Sequence, residues 1–177
     1  MIREATGMDI GKMAEIYEEY HLMNCRTRPD FYMPPNEDSF YFNDLSERLL
    51  YGDDEIIISE DEESGIINGF CVFEAFVPDV SLRRKNGLCK IKLLVIRRGY
   101  DDKGIDGEMI EFVRNYAVEN ECGSVEFSVW AESDAAAICD NNGFQPKRIK
   151  MELKLRYCRD VQRAPALKGC DIREISD

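Results

Sequence analysis

Apolar residues in the N-terminal third of the chain recur at the spacing of a helix. After Asp9 they fall every three or four positions, at Ile10, Met13, Ile16, Tyr17 and Tyr20. This pattern predicts an amphipathic helix from Asp9, its N-cap, to about Met23. A short strand over residues 2–5 is predicted before it. Prolines within residues 28–35 exclude a regular helix there, and a second helix is predicted over residues 37–50.

The middle of the chain is rich in β-forming residues. Residues 55–59 and 66–77 are two such runs, and the acidic turn between them predicts an antiparallel hairpin. Residues 88–96 form a third apolar run, which predicts a buried central strand. Residues 125–130 and 147–156 alternate between apolar and polar positions, and this alternation predicts two further strands.

Two more helices are predicted around these strands. From Gly104 to about Asn120 the apolar residues follow a period near 3.6, namely Ile105, Met109, Ile110, Phe112, Val113, Tyr116 and Ala117. A short alanine-rich helix is predicted over residues 134–140, and Gly143-Phe144 follows it. The order of strand, glycine turn, helix, strand and helix predicts an α/β fold. It also presents backbone N–H groups, beside a sheet, to a phosphate-bearing cofactor.

The glycine turn and the segment before Phe144 match motifs of one protein superfamily. The turn consists of Asp101, Asp102, Lys103, Gly104, Ile105, Asp106 and Gly107, against the pattern Arg/Gln-x-x-Gly-x-Gly/Ala. Residues 132–144 match Asn-x-x-Ala-x-x-x-Tyr-x-x-x-Gly-Phe, with Glu132 at the Asn position and Cys139 at the Tyr position. On these motifs the chain resembles the GNAT superfamily of acyl-CoA-dependent N-acyltransferases. The resemblance implies a mixed, mostly antiparallel central sheet flanked by helices.

The same resemblance implies where an acyl-CoA co-substrate, such as acetyl-CoA, would bind. In the family the central strand pairs through its backbone with the pantetheine arm, and the matching residues here are Leu94, Val95 and Ile96. The pyrophosphate would meet the turn over residues 101–107. A main-chain N–H near Val95 or Ile96 would stabilise the tetrahedral oxyanion, and Cys139 would give a proton to the leaving thiolate.

Acyl transfer to an amine also needs a general base, and two strand carboxylates are candidates, Glu74 and Glu126. Burial raises the pKa of a carboxylate toward neutrality, which suits a base. The alternative for each is a structural pair with a neighbouring lysine. Lys90 and Lys92 lie two apart on the central strand. Either their face opens to solvent or to an acceptor cleft, or they pair with carboxylates such as Glu74.

The charge of the glycine turn has two interpretations. Asp101, Asp102 and Asp106 set three carboxylates against Lys103 where a pyrophosphate would lie. In one interpretation these are ordinary helix N-terminal carboxylates, which are favoured there without any ligand. In the other, backbone amides cradle the phosphates and the carboxylates point away.

Aromatic residues are concentrated around the two N-terminal helices, at Phe31, Tyr32, Phe40, Tyr41 and Phe42. In the family this region forms one wall of the acceptor pocket. We expect about three of the five to pack in the core and the others to lie on that wall.

Composition narrows the class of protein further. The chain has 177 residues, a formal net charge of −12 and seven cysteines without a Cys-x-x-Cys pair, which indicates reduced thiols. Without a long apolar run or a signal peptide, a cytoplasmic protein with no membrane partner is expected. The acidity disfavours nucleic acid as a partner. It favours a cationic acceptor, whereas Lys90 and Lys92 favour an anionic one.

These patterns predict an acyltransferase domain over residues 1–157, followed by a tail over residues 158–177 that is a linker or begins a further strand or module. The predicted function is transfer of an acyl group from acyl-CoA to a primary amine of a small molecule or peptide. The alternative is a catalytically weakened module of the same fold, which binds acyl-CoA or a protein partner without turnover. A homodimer stays open.

Overall fold

A computed structural model describes residues 1–77, 87–131, 133–148 and 150–153. The chain divides into two units, Met1–Gln145 and Pro146–Asp177. In the second unit none of the described residues lies in a strand, so the closing strand predicted over residues 147–156 is wrong at those positions. Alternation alone does not make a strand, because a strand also needs a neighbour that accepts its backbone hydrogen bonds. The rest of that range, the tail over residues 158–177 and residues 78–86 lie outside the described residues.

Five strands form one sheet in chain order. They are β1 (Ile2–Glu4), β2 (Glu55–Glu60), β3 (Ile67–Phe76), β4 (Gly87–Ile96) and β5 (Cys122–Phe127). The first three pairings are antiparallel and the β4–β5 pairing is parallel. A parallel pair needs a crossover connection, and the helix between β4 and β5 supplies it. The mixed, mostly antiparallel sheet is therefore confirmed.

Four helices flank the sheet. They are α1 (Ile10–Thr27), α2 (Phe40–Tyr51), α3 (Ile105–Glu119) and α4 (Asp134–Asn141). Helix α1 continues one turn beyond the predicted end, because Pro29 excludes the helical conformation only at the residue before it. Helix α2 begins three residues later than predicted, with Ser39 at its N-cap position. Among the described helices, none combines the length and the apolar content needed to cross a membrane.

The fifth strand is displaced from its predicted range of 125–130. Helix α3 ends at Glu119, and Glu121 turns the chain with a φ of 55°, so that pairing with β4 starts as early as Cys122. The strand then ends at Phe127, because its ladder with β4 ends there. Residues 128–130 were predicted as strand and are not.

The two faces of the sheet carry separate cores. The α3-side core contains Cys71, Phe73, Cys89 and Ile91 from the strands, packed against Ile105, Met109, Ile110, Val113 and Ala117 of α3. The core on the other face joins Ile56, Ile58, Phe70, Val72 and Val95 to Ile10, Met13 and Ile16 of α1 and to Leu45 of α2. Both faces are therefore covered, which fixes the register of β4 between two helical layers.

Asp9 holds the N-terminus of α1 against the sheet edge. Asp9 occupies the predicted N-cap position, but its carboxylate does not cap the helix. It accepts hydrogen bonds from the Arg3 guanidinium at 2.9 Å and from the Thr6 backbone N–H at 2.8 Å. The hydrogen bond from Arg3 lowers the pKa of Asp9 well below its ordinary value, so this largely buried carboxylate stays charged.

Candidate functional site

The site begins where the two parallel strands stop pairing. Ile91 and Phe127 form the last pair of the β4–β5 ladder. Strand β4 runs on to Ile96, still paired with β3 as far as Gly69 opposite Ile96. Among the described strands, none pairs with the other side of β4 over this last stretch. Strand β4 therefore separates from β5 beyond Ile91, which leaves an open backbone edge.

A β-bulge marks the same level of β4. Val72 lies opposite Leu93 and Phe73 lies opposite Ile91, so Lys92 is the extra residue. A bulge disrupts the ladder locally and bends the strand. The bulge lies one residue beyond the last pair of the β4–β5 ladder.

The three strand residues predicted to meet the pantetheine arm all lie on this open edge. Leu94 packs into the α3-side core, Val95 packs into the opposite core, and Ile96 is half-buried. Their side chains are thus fixed on both faces of the sheet. The backbone groups between them are left as the hydrogen-bonding surface of the edge.

The turn after β4 leads into the N-terminus of helix α3. A short 3₁₀ helix, Asp101–Lys103, is followed by Gly104 in the left-handed conformation, at φ 71° and ψ 14°. Gly104, at the N-cap position, has no side chain with which to cap α3. The first-turn N–H groups, on Ile105, Asp106 and Gly107, therefore have no intrahelical acceptor, which is the geometry that suits a phosphate oxygen.

Two charged side chains of the turn, those of Asp101 and Lys103, contact other residues of the turn. Asp101 is turned back and accepts a hydrogen bond from the Gly99 N–H at 3.2 Å. The Lys103 ammonium lies 4.1 Å from the centre of the Tyr100 ring. Asp106 remains in the first turn of α3, half-buried, and the Asp102 side chain lies outside the described part of the structure. Both interpretations of the acidic turn therefore stay open.

Beside Lys92 a charged cleft of about 430 Å³ opens on the α2 side of the sheet. Its lining consists of Asp44, Glu47, Arg48, Tyr51, Gly52, Asp53, Asp54, Glu74 and Lys92. The Lys92 ammonium lies 2.5 Å from Asp54 and 2.6 Å from Glu74. The Arg48 guanidinium pairs with Asp44 at 2.9 Å and with Asp54 at 3.0 Å. Both alternatives for the central-strand lysines thus hold at Lys92, which lines an open cleft and pairs with Glu74.

The cleft keeps a negative balance after these pairs have formed. Five carboxylates line it against two cations. Burial lowers the pKa of Lys92, but its hydrogen bonds with Asp54 and Glu74 outweigh this and raise it overall. Lys92 therefore remains an ammonium at neutral pH and serves as a fixed positive charge beside the bulge.

Both candidate bases lie in one row across the sheet. Lys90 pairs in register with Glu74 of β3 and with Glu126 of β5. Only Glu74 belongs to the cleft lining. The structure therefore brings Glu74, Lys92 and the open edge of β4 together, whereas Glu126, at the other end of the same row on β5, lies outside the cleft lining.

Cys139 lies on α4, whose ends are fixed by local hydrogen bonds. Ser133 caps the helix by accepting from the Ala136 N–H at 3.3 Å. At the other end Gly143 has a φ of 78°, and the Phe144 N–H donates to the Cys139 carbonyl at 3.0 Å. The Cys139 residue is 7% exposed, and burial raises the pKa of its thiol, so the thiol keeps its proton at neutral pH. Cys139 is not part of the cleft lining.

The aromatic residues are distributed differently from the prediction. Of the five predicted, only Tyr41 is buried, while Phe31, Phe40 and Phe42 are exposed and Tyr32 is half-buried. Phe31 and Tyr32 lie in the proline-containing segment between α1 and α2, whereas Phe40 and Phe42 are exposed residues of α2 itself. Sequence reasoning also missed the partner of Phe31 and Tyr32, which is Trp130. No local pattern signals a contact across 98 positions of sequence.

No family model matches the sequence, and no curated protein sequence matches it significantly. Solved structures do match the fold. A point mutant of the BH1408 protein from Bacillus halodurans is 20% identical, with a TM-score of 0.78 over 88% of this chain and 99% of that chain. AAC(6')-Iy in complex with the bisubstrate analogue CoA-S-monomethyl-acetylneamine is 13% identical, with a TM-score of 0.66 over 88% of this chain and 97% of that chain. A predicted acetyltransferase with acetyl-CoA from Clostridium acetobutylicum is 17% identical, with a TM-score of 0.64 over 87% of this chain and 95% of that chain. The chain therefore has the fold of the GNAT acetyltransferases.

Proposed function

We propose that this protein transfers an acyl group from acyl-CoA to a primary amine by direct attack. One observation carries the proposal: beyond Ile91, β4 has an open edge that leads through the Gly104 turn to the uncapped N-terminus of α3. An extended amide-containing arm can pair with such an edge, as a strand would. A pyrophosphate at its end would then meet the N–H groups of the first turn of α3.

The proposed chemistry needs three groups. A backbone N–H of β4 beyond the bulge, near Val95 or Ile96, would stabilise the oxyanion formed when the amine attacks the thioester carbonyl. Glu74 would take a proton from the attacking amine, because it lines the cleft beside that edge. Cys139 would protonate the departing thiolate, and its protonated state at neutral pH supports this role.

We propose that the charged cleft receives the acceptor. Five carboxylates and two cations give it a negative balance, which favours an amine carrying more than one positive charge. The lysine-based argument for an anionic acceptor is weakened, because Lys92 is already paired with Asp54 and Glu74. Spermidine is a suitable probe, and butylamine is a matched probe with a single charge.

The test is calorimetry with acetyl-CoA, followed by release of free thiol in the presence of each amine. We expect acetyl-CoA to bind and spermidine to release thiol faster than butylamine does. The preference should shrink in high salt, because salt screens a partly exposed electrostatic site. Failure of acetyl-CoA to bind the full-length protein would refute the proposal.

One observation favours the alternative of a binding module without turnover. Cys139 is 7% exposed, and a buried free cysteine commonly acts as a small apolar residue of the core. Binding of acetyl-CoA with no thiol release from any amine would support this alternative.

A further inference from the structure

Asn142 ends helix α4 and lies beside the first turn of helix α3. It is the C-cap residue of α4, and its side-chain Nδ2 donates to the Ile138 carbonyl at 2.9 Å. The other amide atom, Oδ1, faces Gly107: a Cβ atom added to this glycine would meet it at 3.7 Å. One side chain therefore closes the end of α4 and packs on the turn of α3 that carries the unpaired N–H groups.

The Arg114 guanidinium of α3 joins the same two helices. Its Nη2 donates to the Asn142 carbonyl at 3.4 Å, and its Nη1 pairs with Glu111 of its own helix at 2.7 Å. The last carbonyl groups of a helix have no intrahelical donor, and a cation is favoured beside them. Arg114 therefore makes a second contact between the end of α4 and α3, which does not depend on the Asn142 side chain.

Cys139 is tied to this end of α4 through its backbone. The Cys139 carbonyl accepts from the Asn142 N–H at 3.2 Å and from the Phe144 N–H at 3.0 Å. Ile138 and Phe144, which flank the contact, pack against the α3-side core. A displacement of the C-terminal end of α4 would therefore move Cys139 relative to the first turn of α3.

A second asparagine makes the same cap contact on the protein surface. Asn120 is the C-cap residue of α3, and its Nδ2 donates at 2.9 Å to the carbonyl of Tyr116, four residues earlier. Asn120 is exposed, whereas Asn142 is half-buried beside Gly107. Capping a helix therefore does not by itself require the burial of the asparagine, and at Asn142 the contact with α3 accounts for it.

We propose that Asn142 is a positioning residue for acyl-CoA: it fixes α4 on the first turn of α3 and so sets the separation between the Cys139 thiol and the N–H groups of residues 105–107. The inference rests on the proposed function, which assigns the proton donor to that thiol and the pyrophosphate to those N–H groups. Both ends belong to one CoA molecule, so they meet their partners together only if the two helices keep a fixed separation. Such positioning acts on the rate of reaction at the thioester end more than on affinity.

The test uses bromoacetyl-CoA, which carries an electrophilic carbon where acetyl-CoA carries its methyl group. Attack by the Cys139 sulfur forms a C–S bond, bromide leaves with the electron pair of the C–Br bond, and the thiol proton passes to solvent. Mass spectrometry of tryptic peptides follows the alkylation of Cys139 at saturating reagent. Calorimetry gives the acetyl-CoA affinity and urea unfolding gives the stability, so none of these measurements requires turnover.

Asn142→Ala is compared with Asn120→Ala, because each removes one cap hydrogen bond of 2.9 Å. We expect both variants to lose similar stability and to keep the acetyl-CoA affinity within about twofold. Only Asn142→Ala should slow the alkylation of Cys139, by about tenfold, because a small misplacement of a reacting group is costly. Arg114→Ala should slow it less, since the lost hydrogen bond is long and exposed, and Glu111→Gln, which leaves the contact with Asn142 in place, should match wild type.

Equal alkylation rates in Asn142→Ala and Asn120→Ala would overturn the proposal. A loss of acetyl-CoA affinity confined to Asn142→Ala would also overturn it, because Asn142 would then belong to the phosphate site. Acetyl-CoA binding without alkylation of Cys139 in the wild type would mean that the thiol does not face the thioester end. Failure to bind acetyl-CoA would refute the proposed function and this inference with it. Alkylation slowed only in Asn142→Ala, with no thiol release from any amine, would defeat the proposed catalysis but leave this inference standing.

Discussion

Ile91 of β4 and Phe127 of β5 are the last pair of a parallel ladder, and β4 continues beyond them with β3 as its only strand neighbour among the described strands. The Lys92 bulge lies one residue further on. The open edge of β4 begins at this point and leads through the Gly104 turn into α3.

Gly104→Asn should weaken acetyl-CoA binding with little loss of stability. Gly104 has a φ of 71°, which asparagine tolerates better than a β-branched residue does, and a Cβ atom there would meet no protein atom within 4 Å beyond its chain neighbours. The added side chain would therefore obstruct only a ligand at the α3 N-terminus. Gly65→Asn is the control, since Gly65 has a φ of 65° in the turn between β2 and β3. Equal acetyl-CoA affinity in both variants would place the phosphates elsewhere.

Cys139→Ala should lower turnover about 10²–10⁴-fold, the usual contribution of a general acid, without changing acetyl-CoA affinity. Alanine is preferable to tyrosine as a test, because a larger side chain at a buried position would overpack it. Cys71→Ala, at a buried thiol of β3, controls for the loss of packing. If both variants keep wild-type turnover in a thiol-release assay, Cys139 is a core residue and not an acid.

Glu74→Gln should lower kcat/KM for spermidine about 10²–10⁴-fold if Glu74 is the base. Glu126→Gln is the matched control, because Glu126 lies in the same row across Lys90 but outside the cleft. Separate values of kcat and KM distinguish a lost base from a lost ion pair in the cleft, since the former lowers kcat and the latter mainly raises KM. A large loss in Glu126→Gln together with a small one in Glu74→Gln would reverse the assignment.

Asp9→Asn should lower the free energy of unfolding at pH 7 by about 1.5–3 kcal/mol, because it breaks a charged hydrogen bond to Arg3 at a largely buried site. The folded-state pKa of Asp9 lies below its ordinary value of 3.8. Its contribution is therefore complete above about pH 4 and is lost as the pH falls further. Urea unfolding of the wild type and the variant should converge in acid. Glu62→Gln, in an exposed turn, should change little.

Local sequence patterns predict much of this fold. The 3.6-residue period from Ile105 to Ala117 predicts α3, and the apolar run of residues 88–96 predicts β4, because both elements bury their apolar faces in a core. The Gly104 turn was also predicted from its residue type, which suits a positive φ. These features depend on neighbours in sequence.

The remaining features depend on partners distant in sequence. The limits of β5 follow from where its ladder with β4 starts and stops, and the pattern of residues 125–130 contains no information about that register. The cleft joins α2 to β3 and β4, and the Trp130–Tyr32 hydrogen bond joins residues 98 positions apart. Such contacts arise only once the chain has folded, so a single sequence does not reveal them.

Titration of the ¹⁵N-labelled protein with acetyl-CoA, followed by amide NMR shifts, tests the central claim most directly. The account predicts that the amides of Leu94, Val95 and Ile96 and those of Ile105, Asp106 and Gly107 shift together with one affinity. The first group reports the open edge of β4, and the second reports the uncapped N-terminus of α3. Shifts confined to other residues, or none at saturating acetyl-CoA, would contradict it.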